Sequence, residues 1–89
     1  MVRISFTPNL LRHVQTPADT VEGDTIGAAL NAYFQLNPTA RSYVLDDQGM
    51  VRKHIAIFLN RDMIPATKAL ATKVAAQDEL YVAQALSGG

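Results

Sequence analysis

The last two residues of the sequence, Gly88 and Gly89, are the ones whose type and position most clearly suggest chemistry. Glycine has no Cβ, so a chain end made of it can enter channels too narrow for other residues. Such an end presents an α-carboxylate, which is ionised at neutral pH. A carboxylate is a poor electrophile and must be activated for acyl chemistry, typically as a mixed anhydride with AMP. The pair predicts an activatable acyl end; the alternative is a chain end without a function.

Other constellations that could support catalysis are weak. The three serines lie in no nucleophile-elbow motif, and no glycine-rich phosphate loop is present. His13 and His54 are far apart in sequence and could bind zinc only with a carboxylate brought close by the fold, so we interpret them as surface histidines. The adjacent acidic residues Asp46-Asp47 and Asp78-Glu79 occupy turn positions, where solvated charges are common. We therefore expect no catalytic residue and no metal site among these groups.

The composition limits the class of protein. The 89 residues contain eight Lys and Arg residues, eight Asp and Glu residues and no cysteine. A chain of this size supports a single core, and a net charge of zero argues against a nucleic-acid partner. Its longest apolar run, 55–59, is far shorter than the roughly 20 residues that span a bilayer. We expect a cytoplasmic domain that binds neither nucleic acid nor membranes. The basic run 52–54 could attract an acidic partner, although such runs are also typical of solvated strand ends.

Periodicity predicts the elements that position the chain end. Segments 2–7 and 79–83 alternate apolar and polar residues, which indicates strands with one buried face, and 17–22 could form a short returning strand. Segment 51–60 contains the most strand-like run and is predicted to be a central strand, closed by a turn at 60–62.

Between these strands the period changes to 3.6. From Thr25, apolar residues at helical spacing predict one main helix that Asn37-Pro38 ends. Segments 40–45 and 66–76 are each expected to form a short helix or turn. The order of elements favours an α+β fold with one mixed sheet packed on one main helix.

Alternation also predicts which strand residues face away from the core. If Ile55, Ile57 and Leu59 point inward, their neighbours must point outward. The same argument applies to the last strand, with Leu80 and Val82 inward. The predicted outward residues are Ala56, Phe58, Tyr81 and Ala83.

Taken together, these features resemble the ubiquitin-like sulfur-carrier proteins, which include the small subunit of molybdopterin synthase and the thiamin-pathway carrier. The resemblance covers nearly the whole chain. It rests on the opening strand, on the helix entry 23–27, on His54-Ile55-Ala56-Ile57-Phe58-Leu59-Asn60 and on the segment 77–82 that leads to Gly88-Gly89. The chain differs from the usual family pattern at Arg61 and Gln77, where glycine is common.

The resemblance implies a β-grasp domain over 1–85 and a flexible diglycine tail over 86–89. It implies a carrier that is the substrate of an activating enzyme and not itself an enzyme, with no bound cofactor. An E1-like enzyme would adenylate its Gly89 carboxylate with ATP. A sulfur donor then supplies sulfur to form a thiocarboxylate, which a downstream enzyme accepts. Partners would dock on an apolar patch formed by Phe58, Tyr81 and Ala83, with Ala56 and Leu86 nearby. Two alternatives remain open: a modifier that forms an amide through Gly89, and a non-catalytic protein-binding module.

Overall fold

The computed structural model describes residues 1–6 and 18–84 of the chain. These residues form five strands and three helices. In chain order they are β1 (Val2–Phe6), β2 (Asp19–Val21), α1 (Ile26–Leu36), α2 (Pro38–Val44), β3 (Ile55–Leu59), β4 (Asp62–Ile64), α3 (Ala66–Ala69) and β5 (Glu79–Gln84). The predicted tail 86–89 lies outside the described residues.

The strands form one mixed sheet in the order β2-β1-β5-β3-β4. β1 and β5 run parallel, and the other neighbouring strands are antiparallel. The long connection between β1 and β5 carries the helices, as a parallel pair requires a crossover. This topology with one helix packed on the sheet confirms the predicted α+β, β-grasp architecture.

One detail of the predicted sheet is confirmed and one is wrong. β3, predicted to be a central strand, has a neighbour on each side, β5 and β4, while β5 takes the middle position of the sheet. Asp62, predicted to belong to a turn, instead begins β4. Three residues headed by an aspartate are too short to show a strand period, so only pairing with β3 reveals this strand.

Helix α1 begins where the sequence provides a cap. The Thr25 hydroxyl accepts a hydrogen bond from the backbone N–H of Ala28 at 3.1 Å, which satisfies one of the free amides of the first turn. At its C-terminus Asn37 donates its backbone N–H to the Tyr33 carbonyl, and Pro38 starts α2 directly. The predicted helix bounds are therefore confirmed.

The buried face of α1 lies on the sheet and forms the centre of the core. Tyr33 is fully buried, and its ring lies 5.0 Å from that of Phe6 on β1. Gly27 is required where α1 meets the segment after α3, because a Cβ there would lie 2.8 Å from the Leu70 carbonyl oxygen. Helix α1 thus covers one face of the sheet.

Within the described residues, no helix has both the length and the apolar character needed to cross a membrane.

Candidate functional site

The outer face of the sheet carries a small apolar surface, here called the outer patch: Ala56, Phe58, Tyr81 and Ala83. Phe58 pairs with Tyr81 and Ala56 pairs with Ala83 across β3 and β5. The ring centroids of Phe58 and Tyr81 lie 6.4 Å apart at an angle of 53°. Tyr81 is 41% exposed and the other three side chains are partly buried. All four residues therefore lie on the face that alternation predicted.

The patch continues onto both neighbouring strands. Met63 on β4 lies opposite Phe58 and is 64% exposed, and Ser5 on β1 lies beside Tyr81. Met63 does not follow from the sequence pattern, because no strand is predicted after the turn at 60–62. A two-residue hairpin turn at Asn60 and Arg61 would have predicted this position, since it fixes Phe58 opposite Met63.

That turn has an unusual backbone. Asn60 and Arg61, which connect β3 to β4, have φ angles of 50° and 82°. Positive φ at both central residues is the requirement of a tight hairpin turn, for which Asn followed by Gly is the favoured pair. Asparagine tolerates this region, whereas arginine is less stable there than glycine because its Cβ crowds the backbone. Outside this turn, Gln77 also has a positive φ, of 75°.

Asn60 also fastens the turn to the start of β5. Its Nδ2 donates to Asp78 Oδ1 at 3.0 Å, and its Oδ1 accepts from the backbone N–H of Glu79 at 2.9 Å. The backbone N–H of Ala75 donates to Asp78 Oδ2 at 2.7 Å. The two hydrogen bonds that the Asp78 carboxylate accepts, first that from Ala75 and then that from Asn60, hold its pKa below the ordinary value. The Asp78 carboxylate therefore has a structural role, since it stabilises the turn.

The turn that contains Asp46 is likewise held by backbone N–H groups that donate to a carboxylate. Asp46 Oδ1 accepts from the backbone N–H groups of Met50, at 3.0 Å, and Gln48, at 2.9 Å. These bonds, with Met50 the larger influence, lower the pKa of Asp46. No group of three His, Cys, Asp or Glu side chains that could hold a metal ion occurs within 1–6 and 18–84, and His54 is exposed. His13 lies outside that range.

An open depression lies between the outer patch and the turn, here called the turn depression. Its volume is about 530 Å³, and it is lined by Phe58 and Tyr81 together with Ser5, Asn60, Arg61, Glu79 and Leu80. It combines aromatic surface with one cationic and one anionic side chain. Such a surface is suited to contact with a protein that is both apolar and charged.

The predicted acyl end follows the same strand. Gln84, the last residue of β5, pairs with Ile55, so the chain leaves the sheet beside the Ala56 and Ala83 pair. The turn with Arg61 lies at the opposite end of the outer face. Leu86, Gly88 and Gly89 lie outside the described residues, and their predicted roles stay predictions.

Solved structures of similar proteins share this fold. No protein-family model matches the chain, and a search of curated proteins finds no match. The crystal structure of SAMP1 from Haloferax volcanii is 30% identical, covers 99% of this chain and 98% of that chain, and has a TM-score of 0.77. A second structure of the H. volcanii small archaeal modifier protein 1 is 27% identical, covers 96% of this chain and 97% of that one, and has a TM-score of 0.74.

A more distant neighbour supports the fold alone. Mycobacterium tuberculosis CysO is 21% identical, covers 97% of this chain and 100% of that chain, and has a TM-score of 0.82. The identity of 30% to SAMP1, by contrast, extends over almost the full length of both chains. With its β-grasp fold and its outer patch, the chain therefore belongs to the family of ubiquitin-like sulfur carriers and small modifiers.

Proposed function

We propose that this protein is a sulfur carrier, and that the carboxylate of Gly89 is the group that carries the sulfur. An E1-like enzyme binds the outer patch and draws the tail into its active site. The protein acts as the substrate of that enzyme and supplies no catalytic residue of its own. ATP is consumed by the partner and is not a cofactor of this chain.

The chemistry has two steps, both of which involve the Gly89 carboxyl group. A Gly89 carboxylate oxygen attacks the α-phosphorus of ATP, and pyrophosphate leaves, so that an acyl adenylate forms. Hydrosulfide, delivered by a sulfur donor, then attacks the carbonyl carbon. A C–S bond forms as the C–O bond to AMP breaks, a proton is lost, and a thiocarboxylate remains. A downstream enzyme accepts this sulfur in biosynthesis.

Glycine at the last two positions favours both steps. An acyl carbon without a neighbouring side chain offers little hindrance to the attacking sulfur. Absence of Cβ atoms also lets Gly88 and Gly89 pass through a narrow channel in the enzyme. Fixing such a tail is entropically unfavourable, so the energy must come from contacts elsewhere, and the outer patch supplies apolar surface for them.

One observation carries the proposal: the strand that bears Tyr81 and Ala83 on its outer face is the one that leads, five residues later, to Gly88-Gly89. A partner seated on the outer patch is therefore close to the point where the tail begins. The identity to SAMP1 over almost the whole chain supports the same class of protein.

The test is incubation with ATP, sulfide and the E1-like enzyme of the same organism, followed by intact-mass measurement. We expect a gain that corresponds to sulfur replacing one oxygen, and no gain in a variant that lacks Gly88 and Gly89. The starting mass must also show Gly89 as the last residue of the protein. An active enzyme that leaves the mass unchanged would contradict the proposal.

A second function, that of a protein modifier, is favoured by one finding. The SAMP1 structure at 30% identity bears the name of a small archaeal modifier protein. In that reaction a lysine amine of a target attacks the same acyl adenylate, and an amide forms as AMP leaves. Immunoblots of cells that express the tagged protein distinguish the two functions. Conjugates of higher mass that vanish when Gly88 and Gly89 are deleted support the modifier, and a carrier forms none.

The third interpretation, a binding module in which the tail has no role, is separated by the same deletion. Such a module would keep its partner-dependent activity without Gly88 and Gly89. Both acyl-transfer functions lose their activity in that variant.

A further inference from the structure

Arg61 occupies a backbone conformation that disfavours it. Its φ is 82°, in the left-handed region, at the second position of the two-residue turn between β3 and β4. Glycine is the preferred residue at that position because it has no Cβ. Arginine therefore makes this hairpin less stable than glycine would.

Within the part of the chain that the structure describes, the Arg61 side chain makes no contact that offsets this strain. Arg61 is exposed, and its guanidinium makes no hydrogen bond or ion pair with any residue of 1–6 or 18–84. Glu79 lines the same depression, yet the two side chains form no ion pair. Strained residues without a structural role of their own point to a function outside the fold.

Arg61 lies beside the aromatic pair and far from the end of β5. Its side chain lines the turn depression next to the rings of Phe58 and Tyr81. The tail leaves from the other end of the same face, at Gln84. Along β5, Ala83 lies four positions after Glu79, which corresponds to about 13 Å of strand. Arg61 is thus remote from Gln84, where β5 ends, but adjacent to the aromatic pair.

We propose that Arg61 is a specificity-determining contact of the docking face, and that it binds a carboxylate side chain of the activating enzyme beside the aromatic pair. Guanidinium groups bind carboxylates through two parallel hydrogen bonds, and arginine is favoured in ion pairs at interfaces and beside aromatic rings. The neighbouring Glu79 repels extended polyanions, so the depression fits a single acidic side chain next to an apolar one. This inference rests on the proposed sulfur-carrier function.

A contact at this position acts on binding and not on the acyl transfer. Loss of the guanidinium should raise the KM of the enzyme for this protein and leave kcat unchanged. Because the contact joins two charges, the KM of the wild type should rise with ionic strength. The KM of a variant without the charge should respond less.

The experiment measures ATP–pyrophosphate exchange by the E1-like enzyme of the same organism, with the full chain as the varied substrate. Arg61→Gly is the main variant, and it relieves the strained φ. Its thermal midpoint should equal or exceed that of the wild type, while its KM rises about five- to twentyfold at low salt. Arg61→Lys keeps the charge but loses the paired hydrogen bonds, and its KM should be intermediate.

Gln77→Gly is the matched control. Gln77 also has a left-handed backbone, at φ 75°, but it does not line the turn depression. The glycine variant relieves the same kind of strain without removing a group from the docking face, so its KM should match that of the wild type.

The outcomes separate this inference from the proposed function. Exchange with the wild type and an equal KM for Arg61→Gly would overturn the role of Arg61 alone. So would an equal rise for Gln77→Gly, which would assign the effect to the backbone. Absence of exchange with the wild type and an active enzyme would overturn the proposed function and this inference together.

Discussion

The side chains of Asn60 and Asp78 are joined by a hydrogen bond of 3.0 Å from Asn60 Nδ2 to Asp78 Oδ1. This bond ties the turn after β3 to the residue that precedes β5. The two strands it connects carry Phe58 and Tyr81, which pair across the sheet. A polar clamp at one end of the strands thus fixes the aromatic pair that we propose as a docking surface.

Replacement of Asn60 should weaken this clamp. Asn60→Gly keeps the left-handed backbone but loses both side-chain bonds, and the free energy of unfolding should fall by about 1–2 kcal/mol. Asn60→Ala loses the same bonds and adds strain at φ 50°, so it should be the less stable of the two. Urea unfolding measures both. If Asn60→Gly is as stable as the wild type, the clamp contributes nothing.

Acid should destabilise the domain through Asp78. Its folded-state pKa lies below the ordinary value of 3.8, chiefly because of the hydrogen bond from the Ala75 amide and then that from Asn60. A lowered pKa contributes stability above the unfolded value, and this contribution is lost as the pH falls through the folded value. Asp78→Asn should therefore be less stable at pH 7 and should lose less stability below about pH 4.

Unfolding curves across the acid range check this prediction. Asn60→Gly removes only one of the donors to Asp78, so it should flatten the acid dependence less than Asp78→Asn does. An Asp78→Asn variant with the wild-type acid slope would show that this carboxylate is not a source of the pH dependence.

Alkali should destabilise the domain through Tyr33. Burial, with the nearby charge of Asp19 as the lesser cause, raises the pKa of this phenol from 10.0 to about 12. The folded state favours the neutral phenol, so the contribution is complete below pH 10 and is lost as the pH rises towards 12. Tyr33→Phe should flatten the stability profile in this window. The core substitution Phe34→Leu should instead lower stability equally at each pH, and an unchanged profile for Tyr33→Phe would refute the assignment.

Truncation of the aromatic pair should weaken binding to the enzyme more than it lowers the free energy of unfolding. Phe58→Ala and Tyr81→Ala should each raise the dissociation constant by about tenfold or more, as aromatic anchors do at interfaces. Leu36→Ala is the matched control, because Leu36 is 63% exposed but lies on α1, in the helical layer. Calorimetric titration with the E1-like enzyme gives the constants. Equal losses for Leu36→Ala and Tyr81→Ala would remove the outer patch as the docking surface.

Local patterns in the sequence predict the elements with a strong period. The helical spacing from Ile26 to Phe34 predicts the buried face of α1, and all five residues of that stripe are buried. Alternation likewise predicts the inward Ile57 and Val82 and the outward Phe58 and Tyr81.

Relationships between distant residues do not follow from such patterns. The pairing of Phe58 with Tyr81 depends on how β3 and β5 come together, and the middle position of β5 depends on its parallel pairing with β1. β4 forms only because the Asn60-Arg61 turn folds it back onto β3. The positive φ of Arg61 does not follow from the sequence either, because arginine favours a negative φ.

The mass of one tryptic peptide reports where the sulfur is attached. The last Lys or Arg of the sequence is Lys73, so trypsin releases the C-terminal peptide 74–89 intact. After reaction with the E1-like enzyme, ATP and sulfide, we predict that only this peptide gains the mass difference between sulfur and oxygen, with fragment ions that place the sulfur on Gly89. An unmodified 74–89 peptide after ATP has been consumed, or sulfur on any other peptide, would contradict the account.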